Sequence, residues 1–317
     1  MKGYDALCAK SRAMHGGMLK QKDYETLSKL EQIDEAVQYL ARTPRYAEAF
    51  SGKEPVWRRG RVEQLLRRQY FLMFEKLYLF SEGAKRQFFA HLIEKHEIAF
   101  LVRAVRAVNS EGGERFTAVP QEVQRRASLN FIAVCEAQSL QGVIDALSGT
   151  QYHSAALRFL SEPSADIDLF ENALYRDYYI RLHGVYCECL DKESAQAVRS
   201  LLERQVDILN DERARRIAEY HFDLGVLSLI PIYTEQKKKV LEDIIAGRGA
   251  DQPRPDSSAA RELYEVCLRT VYTGANTMAV PYALLALGEN ELKNLTYVIE
   301  GIRYQTGSAF ILKKIAI

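Results

Sequence analysis

The chain has no GxxxxGK[ST] loop to cradle phosphate, no GxGxxG after a strand pattern, no GxSxG elbow and no HExxH pair. The common routes to nucleotide binding, acyl transfer and zinc-dependent hydrolysis therefore have no foothold. No apolar run approaches the roughly 18–20 residues that cross a bilayer; one of the longer stretches, Leu224 to Tyr233, contains Pro231. Met1-Lys2-Gly3-Tyr4-Asp5 has no apolar signal core. The five cysteines, Cys8, Cys135, Cys187, Cys189 and Cys267, form no CxxC pair, and an odd number in a chain of 317 residues does not read as a disulfide framework. A reducing, cytoplasmic compartment is expected. Forty-three Lys and Arg stand against 42 Asp and Glu, a net charge of +1, so the overall balance does not demand nucleic acid or an anionic surface as the main partner. Strand signals are scarce too: β-branched residues are scattered, and no alternating run closes on Asn-Gly or Asp-Gly.

What is present is helical patterning and a core-forming apolar fraction of 47%. Leu65, Leu66, Tyr70, Phe71, Met73, Phe74, Leu77 and Tyr78 are apolar around most of a helix circumference, the mark of a helix buried between neighbours. After Ser81-Glu82-Gly83, a stripe of Phe89, Ile93, Phe100, Leu101, Ala104 and Val108 predicts one further helix, ending in the linker Asn109-Ser110-Glu111-Gly112-Gly113. Leu174, Tyr178, Leu182, Val185 and Cys189 form a second stripe, and Ala197, Leu201 and Leu202 lead into another helix. Gly247 to Ser258 reads as an exposed loop. The fold class is all-α.

One short pattern recurs three times: Glu97-Ile98-x-Phe100, Asp207-Ile208-x-Asn210 and Glu291-Leu292-x-Asn294. The copies lie farther apart than the roughly 20–50 residues of common solenoid repeats. Three small helical domains are expected: 1–109, 110–224 and 225–317. A second echo supports them, with Leu40-x-x-Thr43-Pro44-x-Tyr46 matched by Leu147-x-x-Thr150-x-Tyr152; in both a helix is expected to end at Thr and a new one to begin after Tyr. Glu97, Asp207 and Glu291 are read as structural acids that cap helices or bond across them within each unit, the alternative being a functional ring about a common axis.

Among polar clusters, His183 and Cys187 are four apart and share a helix face with Cys189 nearby, yet a closed metal site needs four ligands, and ordinary packing is expected. His91 and His96, five apart, point in different directions. No catalytic residue, cofactor or metal is expected. The densest charge feature is Arg58, Arg59 and Arg61, with Arg67, Arg68 and Trp57 beside them. It is a solvated helix start, a surface for an acidic protein partner, or a lipid or nucleic-acid contact.

Together, the leading segment Tyr4…Arg12-Ala13-Met14…Met18-Leu19, the paired Leu-x-x-Thr…Tyr elements and the three acid-aliphatic copies resemble the C-type subunits of V/A-type rotary ATPases, called d-type in eukaryotes. Glu291 through Leu295 and Glu300-Gly301-Ile302-Arg303-Tyr304 resemble that family's C-terminal helix. The resemblance implies three similar bundles in a pseudo-threefold funnel, seated peripherally on the cytoplasmic face of a membrane complex. There it would serve as a non-catalytic central-stalk socket joining the shaft subunits (D/F type) to the membrane rotor ring, in proton or sodium transport linked to ATP synthesis or hydrolysis. A helical interaction scaffold unrelated to ATPases is the competing reading.

Overall fold

A computed structural model describes residues 3–52, 56–109, 121–161, 167–220, 229–248 and 256–317. These residues form helices and turns with no strand among them. The chain divides into two compact units, one made of 1–82, 191–201 and 253–317, the other of 83–190 and 202–252.

In the first unit lie α1 (Asp5–Gly16), α2 (Gln21–Leu27), α3 (Ile33–Leu40), α4 (Arg59–Phe80), α14 (Asp256–Thr273), α15 (Ala279–Arg303) and α16 (Ser308–Lys314). Its axis is α15, whose residues Ala279 to Leu285 are all buried, against α1, α4 and α14. Farther along, Leu295, Val298, Ile299 and Ile302 join Leu27, Val37, Leu40, Val62, Leu66, Ile311 and Ile315 in one core. A buried side chain of this size contributes roughly 1.5–3 kcal/mol relative to its exposed state. Gly288 sets the spacing between α15 and α4: a Cβ there would lie 2.2 Å from Met73 Cε and 3.2 Å from the Tyr70 ring. The short helices are fixed at their starts by acids, as Asp23 accepts from Lys20 N at 2.6 Å and Glu35 accepts from Glu31 N and Gln32 N at 3.1 and 3.2 Å.

The second unit holds α5 (Gly83–Leu92), α6 (Glu94–Asn109), α7 (Gln121–Gln124), α8 (Phe131–Glu136), α9 (Leu140–Ala146), α10 (His153–Leu160), α11 (Ile167–Cys189) and α13 (Glu235–Ile245), while α12 (Lys192–Tyr220) gives its first residues to the first unit and the rest to the second. Here α11 is central, packing on α5, α6 and α10 with Phe170, Leu174, Tyr178, Leu182 and Tyr186 buried. Asn130, Ser139 and Thr234 cap α8, α9 and α13, accepting from Ala133 N, Gly142 N and Lys237 N at 3.1, 3.1 and 3.2 Å.

Three local expectations need correction or trimming. The stripe from Phe89 to Val108 belongs to two helices, broken at Ile93, whose N–H bonds to the Ala90 carbonyl in a tighter turn. The stripe runs through the break because Phe88, Phe89 and Ile93 are buried like Ile98 and Leu101 beyond it. The linker expected from Asn109 to Gly113 lies beyond Asn109 outside the described residues, as does most of the stretch from Gly247 to Ser258, where α14 already begins at Asp256.

Candidate functional site

The two Leu-x-x-Thr…Tyr elements have the same local build. Thr43 Oγ1 donates to the Leu40 carbonyl and Thr150 Oγ1 to the Leu147 carbonyl, each at 2.7 Å. The hydroxyl adds a second bond to a helix-end carbonyl that the threonine's own backbone N–H already reaches, at 2.9 Å in both copies. The helices α3 and α9 end at Leu40 and Ala146, earlier than the expected ends at Thr43 and Thr150, and the chain runs on to each threonine in turns. A new helix does begin after Tyr152, at His153; after Tyr46 the chain continues in turns to Phe50 instead.

Each tyrosine reaches a buried acid of the repeated pattern. Tyr46 Oη donates to Glu291 Oε1 at 2.7 Å, and Tyr152 Oη donates to Glu97 Oε2. Each acid also accepts a backbone amide from the segment leading into a short helix pair: Leu19 N to Glu291 Oε2 at 2.7 Å, and Ser128 N to Glu97 Oε1 at 2.8 Å, with Ser128 Oγ adding a bond at 2.9 Å. Glu291 and Glu97 are 2% and 1% exposed, so both sit where an unbonded carboxylate would be prohibitive. Burial pushes both carboxyls above the usual range, and the tyrosine, amide and hydroxyl donors only partly offset it. Glu291 has a charge partner in Arg45, whose Nε lies 3.0 Å from Oε1 without the alignment of a hydrogen bond. At the matching place before Tyr152 stands Gln151, whose amide donates to Tyr152 Oη at 3.0 Å.

The asparagines three residues after the acids form a second repeated device. Asn294 Nδ2 donates to the Ala316 carbonyl at 2.9 Å and its Oδ1 accepts from Ala316 N at 3.1 Å. Asn210 does the same to Ile230, at 2.9 and 2.8 Å. Both side chains are buried, and each clasps the two polar groups of one backbone residue. In the first copy Phe100 occupies that place and packs edge-on against Phe131 at 4.6 Å. Asp207 is the variant acid: it is half-buried on α12, burial raises its carboxyl, and Lys237 opposes that rise. Lys237 Nζ also bonds Asp211 Oδ2 at 3.0 Å.

The arginine cluster opens α4. Arg58 and Arg61 are exposed; Arg61 Nη1 bonds Gln64 Oε1 at 3.0 Å. Arg59 is engaged within the chain, by Glu63 Oε1 at 2.5 Å and by Glu300 on α15. Sequence reasoning missed this bridge and the buried Glu94, which takes His91 Nδ1 at 2.8 Å and Arg181 Nη2 at 3.0 Å; the three-residue spacing of His91 and Glu94 was the available signal. His183 packs edge-on to Tyr186 at 5.2 Å, Cys187 is exposed, and among the described residues no three His, Cys, Asp or Glu gather in a way that could hold a metal.

Glu97 and Glu291 are thus each tied to a tyrosine element by the same kind of buried bond, in a chain whose described residues are helices and turns. Residues 7–313 match the family described as ATP synthase (C/AC39) subunit. The chain belongs to that family. It is thus a C/AC39-type subunit of a V/A-type rotary ATPase, a membrane-associated ion-transport complex in which it works with other subunits, and it is not the catalytic one of the complex. The match spans nearly the whole chain, including Glu97 and Glu291, both tyrosine elements and the arginine cluster. Comparison with curated proteins gives no match. No helix among the described residues of this C/AC39 protein is long and apolar enough to cross a membrane.

Proposed function

We propose that the chain is the non-catalytic socket of the central stalk, joining the shaft subunits of D/F type to the membrane rotor ring on the cytoplasmic face. In this reading the three repeats, 1–109, 110–224 and 225–317, stand as similar bundles about a pseudo-threefold axis. The observation that carries the reading is the family match over 7–313, and the repeated acid devices supply its physical sense. A part that transmits torque must not shear, and close-packed helices with aromatic cores resist deformation. The clamps at Glu97 and Glu291 add polar bonds that are specific in direction, holding short helix pairs to long helices.

A socket for a rotating shaft uses a polar, pre-shaped surface rather than a dry apolar one. Arg58 and Arg61, with Arg59 behind them, are proposed to face such a partner. Contacts of this kind are screened beyond about 8–10 Å at physiological ionic strength, so shaft binding weakens as salt rises.

The test is affinity purification of the chain from its native membrane with identification of the co-purifying chains, followed by reconstitution of ATPase depleted of this protein. Restored coupling of ATP hydrolysis to ion transport supports the reading. Tight binding to protein-free liposomes, with no affinity for shaft or ring subunits, overturns it.

A further inference from the structure

We draw no further inference here: the strongest candidate, the side-chain cluster of Asp207, Asp211 and Lys237 between α12 and α13, where the half-buried Asp207 has no tyrosine bonded to it among the described residues, carries nothing because residues 221–228, which join α12 to the Ile230 that Asn210 clasps, lie outside the described residues and nothing in the structure shows what covers it.

Discussion

Tyr46 and Glu291 lie 245 residues apart in sequence and meet in a buried hydrogen bond of 2.7 Å. That bond and its counterpart from Tyr152 to Glu97 are one device used twice: a long helix presents an acid, and the tyrosine that ends a short helix pair closes over it.

Removing the tyrosine hydroxyl leaves a buried carboxylate short of a donor. Tyr46→Phe and Tyr152→Phe are each expected to cost about 1–3 kcal/mol in chemical denaturation, the penalty of an under-satisfied buried polar group. A double-mutant cycle with Glu291→Gln, or with Glu97→Gln, is expected to give a coupling energy of about 0.5–3 kcal/mol. Additive effects would show that the pairs do not act together.

The pH dependence has a definite sign. Burial raises the Glu97 and Glu291 carboxyls in the folded chain, so the folded state holds these protons more tightly than the unfolded state. Their contribution to stability is full below the unfolded value and is lost as pH rises through the folded one. Glu94 runs the other way: burial alone would raise it, but His91 and Arg181 outweigh burial and hold it below its usual value. Its contribution is present above the unfolded value and is lost as pH falls through the folded one. Melting temperatures across the carboxylate range should therefore fall less with rising pH in the E97Q/E291Q double variant than in wild type. Equal slopes would mean the two acids are not perturbed.

Asn294→Ala and Asn210→Ala each leave a buried backbone N–H without its partner, while the carbonyl keeps one donor, Asn290 Nδ2 at Ala316 (2.7 Å) and Ile232 N at Ile230 (2.8 Å). A loss of about 1–3 kcal/mol is expected for each. The local readout is amide hydrogen exchange, which should accelerate at Ala316 in the first variant and at Ile230 in the second. Unchanged protection there would argue that the clasp is not what holds these residues.

Gly288→Ala drives a Cβ onto Met73 Cε, with the Tyr70 ring close behind. Overpacking of this kind typically costs about 1–3 kcal/mol. Because Met73 Cε is the far end of a flexible side chain, Met73→Ala in the same chain should recover part of that loss. Denaturation midpoints of the single and double variants provide the check.

Much of this was legible in the sequence. The burial of Leu65 to Leu77 follows from residues apolar around the helix, and the Thr–Tyr elements and the acid copies stand out as local patterns. The pairing of tyrosine with acid was not, because a phenol carries no signature of which distant carboxylate it meets. Arg59 was read as part of an open cluster for the same reason, since Glu300 lies 241 residues away. The break at Ile93 stayed hidden because its side chain is buried like those of the helices on either side.

The order of parts in the two clamps differs. In the second unit Glu97 precedes Ser128 and Tyr152; in the first, Leu19 and Tyr46 come long before Glu291. During synthesis the early helices α2 and α3 therefore emerge with no acid to receive them and with Leu27, Val37 and Leu40 lacking the α15 residues that cover them. Residues 83–190 and 202–252 meet all the partners of their own clamp by the time residue 252 is made. The nascent chain is thus expected to acquire its middle before its beginning, and chaperones to engage its first helices for as long as the closing helix is missing. A chain stalled at residue 252 and probed by proteolysis should protect the surroundings of Phe88 and Leu174 and leave those of Tyr46 open; equal protection of both would refute this order.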